Sequence, residues 1–143
     1  MATTSSASRL SPGDVLTYGF LWSHESDVGR DDPVKDRPCV VVLAVGEGDH
    51  PLVTVAPITS REPARPGAIA LGPGALGLGR PSWIVPWEIN VFQWPGPDVG
   101  RAARPVGAWW RMGALAPELR RQLREHVEAA LRARRARVMR RSE

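Results

Sequence analysis

Residues 37–60 read RPCVVVLAVGEGDHPLVTVAPITS, two apolar runs separated by a short polar stretch. The first run, residues 39–45, is continuously apolar and rich in valine, which predicts a strand buried on both faces. Residues 46–51 contain glycine, aspartate and proline and therefore predict a tight connection. Residues 52–58 then form a second strand, which ends at Thr59. Because turn residues separate two runs so close in sequence, we expect an antiparallel hairpin.

Polar side chains stand at the open end of this predicted hairpin. Arg37 precedes the first strand, and Thr59 and Ser60 follow the second. In an antiparallel hairpin the start of one strand lies beside the end of the next, so Arg37 and Thr59 are expected to be neighbours. A guanidinium beside a hydroxyl at a sheet edge suits a phosphate group. Pairing of Arg37 with an acid of the preceding loop, such as Asp36, explains the same residues equally well.

Four further segments have the composition of strands. Residues 15–22 follow a Ser-Pro-Gly-Asp turn and are rich in β-branched and aromatic side chains. Residues 68–71 form a short apolar island that fits an edge strand. Residues 82–89 predict a strand interrupted at Pro86, because proline cannot donate to a sheet ladder. Residues 106–112 predict the last strand.

A helix is predicted from Ala116 onward. Pro117 suits the first helical position, and Glu118 complements the helix dipole. Apolar residues that recur every four positions form one apolar stripe, which comprises Leu115, Leu119, Leu123, Val127 and Leu131. Six short strands and this helix together predict a mainly β fold of the α+β class, a small bent sheet or barrel with an amphipathic helix packed against it.

The composition fits one small domain. Of the 143 residues, 43% are hydrophobic and 24% are charged, which provides for one core and excludes wholesale disorder. We expect residues 11–131 to form the domain, residues 1–10 a disordered leader, and residues 132–143 a basic tail that frays or continues the helix. No apolar stretch approaches the ~20 residues that span a bilayer. Since the leader also lacks the apolar centre of a signal peptide, we expect a cytoplasmic protein without membrane contact.

The net charge of +4 is concentrated near the C-terminus. Residues 117–143 hold nine arginines and four glutamates, whereas the other 116 residues hold ten basic and eleven acidic side chains. Arginine binds phosphate through two parallel hydrogen bonds, so the tail is a candidate contact for nucleic acid. Solvated charge at the C-terminal end of a helix explains the same arginines.

Several kinds of site are disfavoured by the sequence. The only cysteine, Cys39, excludes an internal disulfide and a cysteine-only metal site, and its apolar surroundings predict a buried, inert thiol. His24 and the acids of residues 23–36 lack the spacing of a calcium loop, and a solvated acidic loop is the better interpretation. No serine lies in a Gly-x-Ser-x-Gly elbow. We therefore expect neither a metal nor a cofactor.

Four short motifs occur in a characteristic order. They are PGDVL at residues 12–16, SHES at residues 23–26, RPCVVV at residues 37–42 and VAPITS at residues 55–60. In this order and spacing the motifs resemble those of the MazF/PemK (Kid) family of toxins from type II toxin–antitoxin systems. The resemblance extends over roughly residues 10–132 and includes the closing helix.

The resemblance implies both a fold and an activity. The implied fold is an SH3-like β-barrel with an appended helix, in agreement with the element order above. The implied activity is metal-independent cleavage of single-stranded RNA, in which the 2′-hydroxyl of the RNA attacks the adjacent phosphorus. The resemblance further implies a homodimer whose two subunits form the RNA groove, and a cognate antitoxin that occupies this groove when the toxin is silent.

The resemblance also implies catalytic roles for individual residues. Arg37 would stabilise the phosphorane, and Thr59 would hydrogen-bond the phosphate. His24 or Glu25 would act as the base or position the RNA. Glu88 falls where the PemK branch has a catalytic carboxylate.

Three residues are candidates for binding the RNA. Ser60 adjoins the implied catalytic threonine, and RNA bases can stack on the indoles of Trp83 and Trp87. Burial in the hydrophobic core is the alternative explanation for both tryptophans.

The sequence departs from the family pattern in three places, one of which is that Ser23 and Ser26 flank His24 and Glu25 and so break the Gly-Glu-Gln pattern. The loop between His24 and Arg37 is longer and more acidic than in typical members, and acidic groups repel RNA. Pro86 stands where the PemK branch has an arginine. These departures leave a second hypothesis, a catalytically degenerate barrel that binds nucleic acid or protein, to which residues 132–141 supply affinity. A third hypothesis is a dimeric scaffold whose basic helix binds an acidic partner.

Overall fold

The computed structural model describes residues 9–24, 36–46 and 48–141. Its elements are β1 Asp14–Tyr18, β2 Arg37–Val45, β3 Leu52–Thr59, β4 Ile69–Leu71, β5 Ser82–Ile84, β6 Glu88–Gln93, β7 Val99–Gly100, β8 Arg111–Ala114, α1 Pro117–Arg132 and β9 Arg137–Arg140. The sheet order is β4-β5-β3-β2-β1-β7, with β6 also on β3, β8 also on β1, and β9 on β6. The predicted mainly β fold with an appended helix is confirmed.

The central hairpin of β2 and β3 forms as predicted. The strands are antiparallel, with Val41 opposite Val55. The register shifts between Val41 and Leu43, and beyond this irregularity the side chains of Leu43 and Val45 are about half exposed, at 49% and 55%. The strand is therefore buried on both faces only at residues 39–41.

The turn before β1 explains the Pro-Gly-Asp motif. The backbone N–H of Ser11 donates to the Asp14 carboxylate at 2.9 Å, and the same carboxylate forms an ion pair with Arg111 at 2.9 Å. Gly13 has φ +95°, and a Cβ at this position would overlap the side chain of Arg120. Only glycine fits this turn without strain.

The predicted interruption at Pro86 determines how the sheet bends. On the edge that faces away from β2, strand β3 pairs with two strands. The start of β3 pairs with β6, and the end of β3 pairs with β5. Ile58 lies opposite Ile84 of β5, and Val55 lies opposite Asn90 of β6. Since Pro86 lies between β5 and β6, the sheet turns a corner there and curls into a half-barrel.

The strand predicted at residues 106–112 lies a few residues later in the chain. Strand β8 covers Arg111–Ala114 rather than residues 106–112, and the two-residue β7 was not predicted. The N–H of Arg111 bonds to the carbonyl of Ala108 at 3.1 Å, which closes a turn where the strand was expected. Both β7 and β8 pair with β1.

Helix α1 begins at Pro117, as predicted. Leu123 and Val127 are buried in one core cluster with Val40 and Ala56 of the hairpin. Leu131, the last residue of the apolar stripe, is 48% exposed and lies next to the end of the helix. No helix in the described part of the chain has the length and apolar character needed to cross a membrane.

The basic segment after the helix neither frays nor continues the helix, which corrects the sequence prediction. Arg134 adopts φ +57°, and the N–H of Arg135 bonds to the carbonyl of Ala130 at 2.8 Å. This backbone geometry is a Schellman-type helix end. The chain then forms β9, which runs parallel to β6 with Arg137 opposite Glu88.

Arg141 fastens the end of β9 to the barrel. Its guanidinium donates to the carbonyl of Gly19 at 2.7 Å, to Oδ1 of Asn90 at 3.1 Å and to the Asp98 carboxylate at 2.7 Å. The side chain is only 8% exposed and lies over the ring of Tyr18. One charge of the expected tail is therefore part of the folded structure.

Cys39 is fully buried, and burial raises the pKa of its thiol, an effect that the nearby Arg37 only partly opposes. Because the thiolate is the reactive form, we expect the native protein not to react with a disulfide reagent such as Ellman's at pH 8. The unfolded protein should release one thiol equivalent. Rapid stoichiometric labelling of the native protein would contradict the buried position.

Candidate functional site

An open cleft lies where β2 begins and β3 ends. The register of the hairpin, continued two residues past the pair of Cys39 and Pro57, sets Arg37 opposite Thr59. The predicted neighbourhood of Arg37 and Thr59 is thus present in the structure, and Ser60 adjoins it. The cleft has a volume of about 180 Å³. It is lined by Asp36, Arg37, Pro38, Ile58, Thr59, Ser60, Leu78, Arg80 and Ser82, and is called the Arg37 cleft below.

The guanidinium of Arg37 is half-buried and has unused hydrogen-bonding capacity. Its Nε is buried and has no hydrogen-bond partner among the described residues. Within the same residues no carboxylate forms an ion pair with Arg37, Asp36 included, so the alternative pairing with Asp36 is not found. A buried donor without an acceptor costs about 1–3 kcal/mol, so the fold bears a cost to hold this guanidinium at the cleft.

Trp22 holds Arg37 in place and was missed by the sequence analysis. The Cζ atom of Arg37 lies 5.0 Å from the centroid of the Trp22 ring, a cation–π contact. His24 stacks on the same indole, with ring centroids 6.2 Å apart, and is exposed. Trp22 therefore links the predicted residues Arg37 and His24. The only signal in the sequence was its position, two residues before His24 at the end of an aromatic run.

Thr59 presents its hydroxyl at the end of β3. The Oγ1 atom accepts a hydrogen bond from the backbone N–H of Arg61 at 3.2 Å. The hydroxyl hydrogen can therefore be donated to another acceptor. Ser60 is exposed beside it.

Arg80 adds a second cation to the cleft and was also missed. It is exposed and lines the cleft together with Leu78. Both residues belong to the glycine-rich stretch 72–80, which contains a short 3-10 turn, Ala75–Gly77. This stretch shows no periodicity that could have placed Arg80 beside Arg37.

Trp83 lies in a row with the cleft residues. It is opposite Thr59 on one side and opposite Ala70 on the other. Residues directly opposite on adjacent strands share a face, and adjacent strands are ~4.8 Å apart, so the Trp83 side chain emerges beside Thr59. It is half-buried.

Trp87 lies outside the Arg37 cleft, against the side chain of Arg65. The guanidinium of Arg65 covers its ring, with Cζ 4.3 Å from the ring centroid. Trp87 does not line the Arg37 cleft. The structure thus groups Trp83, but not Trp87, with Thr59.

Glu88 is buried and holds the chain just before His24. Its carboxylate accepts hydrogen bonds from the backbone N–H of Ser23 at 2.9 Å and from the Ser23 hydroxyl at 2.6 Å. Both oxygens are thereby occupied, and Glu88 does not line the Arg37 cleft. Glu25, the remaining predicted residue, lies outside the described residues.

The bonds of Glu88 to Ser23 lead to a stability prediction. We expect Glu88→Ala to lower the free energy of unfolding by about 2 kcal/mol, because buried donors of Ser23 lose their acceptor. Glu88→Gln should cost less than about 1 kcal/mol, because the Ser23 hydroxyl can turn to accept from the new amide. Urea denaturation of both variants measures the difference. Equal losses would show that the charge, and not the hydrogen bonds, stabilises this contact.

The charged groups that line the cleft are two arginines, Arg37 and Arg80, and one carboxylate, Asp36. Among the described residues, no group of three or more histidine, cysteine, aspartate or glutamate side chains could hold a metal ion. Arg37, Arg80 and the Thr59 hydroxyl suit an oxyanion such as a phosphodiester. Asp36 at the rim is the one carboxylate among the lining residues.

Comparison with known proteins gives one clear result. The model of a family described as PemK-like, MazF-like toxins of type II toxin–antitoxin systems matches residues 12–94, more than half of the chain. No curated protein matches the sequence. The matched segment contains β1 to β6 and all of the residues that line the Arg37 cleft, including Arg37 and Thr59. The chain therefore belongs to the family of PemK-like, MazF-like toxins of type II toxin–antitoxin systems.

Proposed function

We propose that this protein is an endoribonuclease that cuts single-stranded RNA without a metal ion. The observation that carries the proposal is the Arg37 guanidinium, which lines an open cleft beside Thr59 and forms no ion pair among the described residues. An RNA phosphodiester supplies the acceptor oxygens that this donor lacks. Membership of a toxin family supports the choice of RNA over other phosphate ligands.

The proposed reaction is transfer of the phosphoryl group to the neighbouring 2′-oxygen. The bond from the 2′-oxygen to phosphorus forms, and the bond from phosphorus to the 5′-oxygen breaks. A base takes the 2′-hydroxyl proton, and a proton is returned to the leaving 5′-oxygen. The products are a 2′,3′-cyclic phosphate end and a 5′-hydroxyl end.

The residues of the cleft have separate roles in this reaction. Negative charge builds up on the two non-bridging oxygens, and preorganised donors that meet it lower the barrier. Arg37 stabilises these oxygens, Thr59 donates its hydroxyl to one of them, and Arg80 adds positive potential. The base that takes the 2′-hydroxyl proton is His24 or Glu25. The ring of His24 stacks on Trp22, and Glu25 matches the glutamate of the family motif.

Glu88 acts through the chain segment that it holds. Both of its carboxylate oxygens bind Ser23, which adjoins His24, so we assign Glu88 a positioning role rather than proton transfer. Ser60 and Trp83 lie beside Thr59 and form the binding surface for the flanking nucleotides. Trp87 is covered by Arg65, and stacking of a base there would first have to displace that arginine.

We also propose a cytoplasmic homodimer that a cognate antitoxin silences. Type II toxins have an antitoxin partner, and this expectation follows from the family. A surface for self-association is available on the outer face of the central hairpin. There Val45 and Leu52 lie opposite each other, 55% and 46% exposed, and Leu43 is 49% exposed.

Charge on this apolar surface should separate the dimer. We expect Val45→Glu to shift the protein from dimer to monomer in light scattering, with unchanged circular dichroism, because a carboxylate cannot be buried unpaired in an apolar contact. Val106→Glu, at an equally exposed valine outside the hairpin, is the matched control. A monomeric wild-type protein, or a dimer that survives Val45→Glu, would contradict this surface.

The activity itself is tested by incubating the purified protein with long single-stranded RNA in excess chelator. The proposal predicts fragments with cyclic-phosphate and 5′-hydroxyl ends. RNA that is bound but stays intact would favour the degenerate binding barrel. Cleavage that appears only when a divalent cation is restored would contradict the metal-independent route.

A further inference from the structure

Strand β9 is an edge of the sheet whose outer side is open. Among the described residues it pairs with β6 alone. The N–H groups of Arg137 and Arg141 bond to the carbonyls of Trp87 and Val91, both at 2.8 Å. Because alternate residues of a strand direct their backbone groups to the same side, the N–H and C=O groups of Val138 and Arg140 point away from β6. This unpaired row is a template for another strand.

The edge is rigidly held and has an apolar position at its centre. Arg141 ties its end to Gly19, Asn90 and Asp98, so the strand is fixed before any partner arrives. Val138 lies in the middle of β9 with 40% of its surface exposed. Exposed edge strands are commonly protected by short length, charged side chains, proline, a bulge or a covering loop, and the arginines of β9 discourage pairing with a basic strand but not with an acidic one. The sequence of β9, Arg-Val-Met-Arg, contains no proline.

The described charges along β9 are mainly positive. Arg134, Arg135 and Arg140 are exposed along or next to β9, and residues 132–141 contain no acid. The acidic side chain opposite the strand is Glu88 of β6, whose carboxylate is bound to Ser23. A ligand of this edge therefore meets several cations and one apolar side chain.

We propose that β9 binds an extended acidic peptide segment of a partner protein, which adds to the sheet as a further strand. Main-chain hydrogen bonds to Val138 and Arg140 give the segment its register, its carboxylates meet the arginines, and an apolar side chain covers Val138. None of these residues lines the Arg37 cleft, so the inference does not rest on RNA cleavage.

Two other occupants fit the edge less well. A second copy of β9 in antiparallel pairing would bring Arg137 and Arg140 of the two copies towards each other, and like charges on facing strands destabilise a pair. RNA would meet the arginines but would leave the row of backbone N–H and C=O groups unpaired. An acidic peptide satisfies the charges and the backbone together.

The test uses fluorescence anisotropy with a labelled seven-residue peptide that has one central valine and glutamate at the other six positions, so that a valine opposite Val138 places a glutamate opposite Arg140 on the same face. A second peptide of the same sequence carries N-methyl groups on alternate residues, so its charge is unchanged but its pairing edge cannot donate. We expect the wild-type protein to bind the methylated peptide about tenfold more weakly, which is ~1.4 kcal/mol of lost binding energy. Equal affinities for both peptides would overturn strand addition, and no binding of either would overturn the site.

Variants locate the binding on the protein. Val138→Pro removes an outward N–H without touching the bonds to β6, and edge strands tolerate proline at such positions. Both Val138→Pro and Arg140→Glu should weaken binding of the unmodified peptide about tenfold. Arg101→Glu, at an exposed arginine outside β9, is the control and should leave this affinity unchanged. Two results together would assign the arginines to RNA instead: single-stranded RNA displaces the peptide, and the Val138→Pro variant binds the peptide with unchanged affinity. Because the peptide pair is compared on the wild-type protein, the proposal stays testable even if Val138→Pro fails to fold.

Discussion

Arg37→Lys is expected to reduce the rate of RNA cleavage roughly a thousandfold, the loss that follows when one preorganised donor to a developing oxyanion is removed. Lysine keeps the positive charge but loses the planar fork that bonds two phosphate oxygens at once. Its ammonium also leaves the position of Nε and the face of Trp22, which Arg37 covers at 5.0 Å. The loss should therefore appear in the chemical step, measured as initial cleavage rate at saturating RNA.

The stability of the Arg37→Lys variant should be close to that of the wild-type protein. Arg37 forms no ion pair among the described residues and leaves one buried nitrogen unbonded, so we expect the free energy of unfolding to change by less than about 1 kcal/mol. Arg104→Lys, at an exposed arginine outside the cleft, is the matched control and should cleave at the wild-type rate. Full activity of Arg37→Lys, or a loss that merely follows unfolding, would remove Arg37 from the reaction.

The largest effect on stability is expected at Arg141. Arg141→Ala removes an ion pair to Asp98 and hydrogen bonds to Gly19 and Asn90 from a side chain that is 8% exposed. The variant loses three charge-assisted hydrogen bonds, two of them to neutral acceptors on Gly19 and the buried Asn90, and we expect the free energy of unfolding to fall by about 3 kcal/mol. Chemical denaturation with a circular-dichroism readout measures this loss.

The neighbouring arginine provides the control for this prediction. Arg140 has the same charge and lies one residue away, but it is exposed and its side chain forms no ion pair within the described residues. Arg140→Ala should change the free energy of unfolding by less than about 0.5 kcal/mol. If both variants are equally stable, Arg141 does not anchor β9.

Much of the barrel was predictable because local and tertiary preferences agree there. The valine-rich run of β2, the turn after it and the apolar β3 each favour the hairpin that forms. Pro86 predicts the break between β5 and β6 because its missing N–H cannot be compensated in a central strand. Pro117 likewise marks the start of α1.

The C-terminal segment was not predictable from local pattern. Helices commonly end at a glycine in the left-handed region, but here Arg134 occupies this position at φ +57°. Strand β9 consists of Arg137–Arg140, in which arginine has no strand preference and the hydrophobic pattern is minimal. Its place is determined by β6 and by the bonds of Arg141 to distant residues, which only the folded chain brings together.

The site was predictable as far as the hairpin register extends. Arg37 and Thr59 are neighbours because the two strands that carry them pair in register. Trp22 and Arg80 could not be placed, since Trp22, which contacts Arg37, and Arg80, which lines the cleft, lie in segments without periodicity after β1 and before β5. The choice between a pair of Arg37 with Asp36 and an open guanidinium also needed the structure.

The most direct test of the central claim uses an RNA oligonucleotide that the protein cuts, resynthesised with a single 2′-deoxy nucleotide on the 5′ side of the cut phosphate. Reaction in excess chelator is followed on a denaturing gel. If the 2′-oxygen is the nucleophile and the Arg37 cleft stabilises its attack, the substituted strand stays intact at that phosphate and the all-RNA strand yields a cyclic-phosphate end. Cleavage of the substituted strand at the unchanged rate would contradict the mechanism.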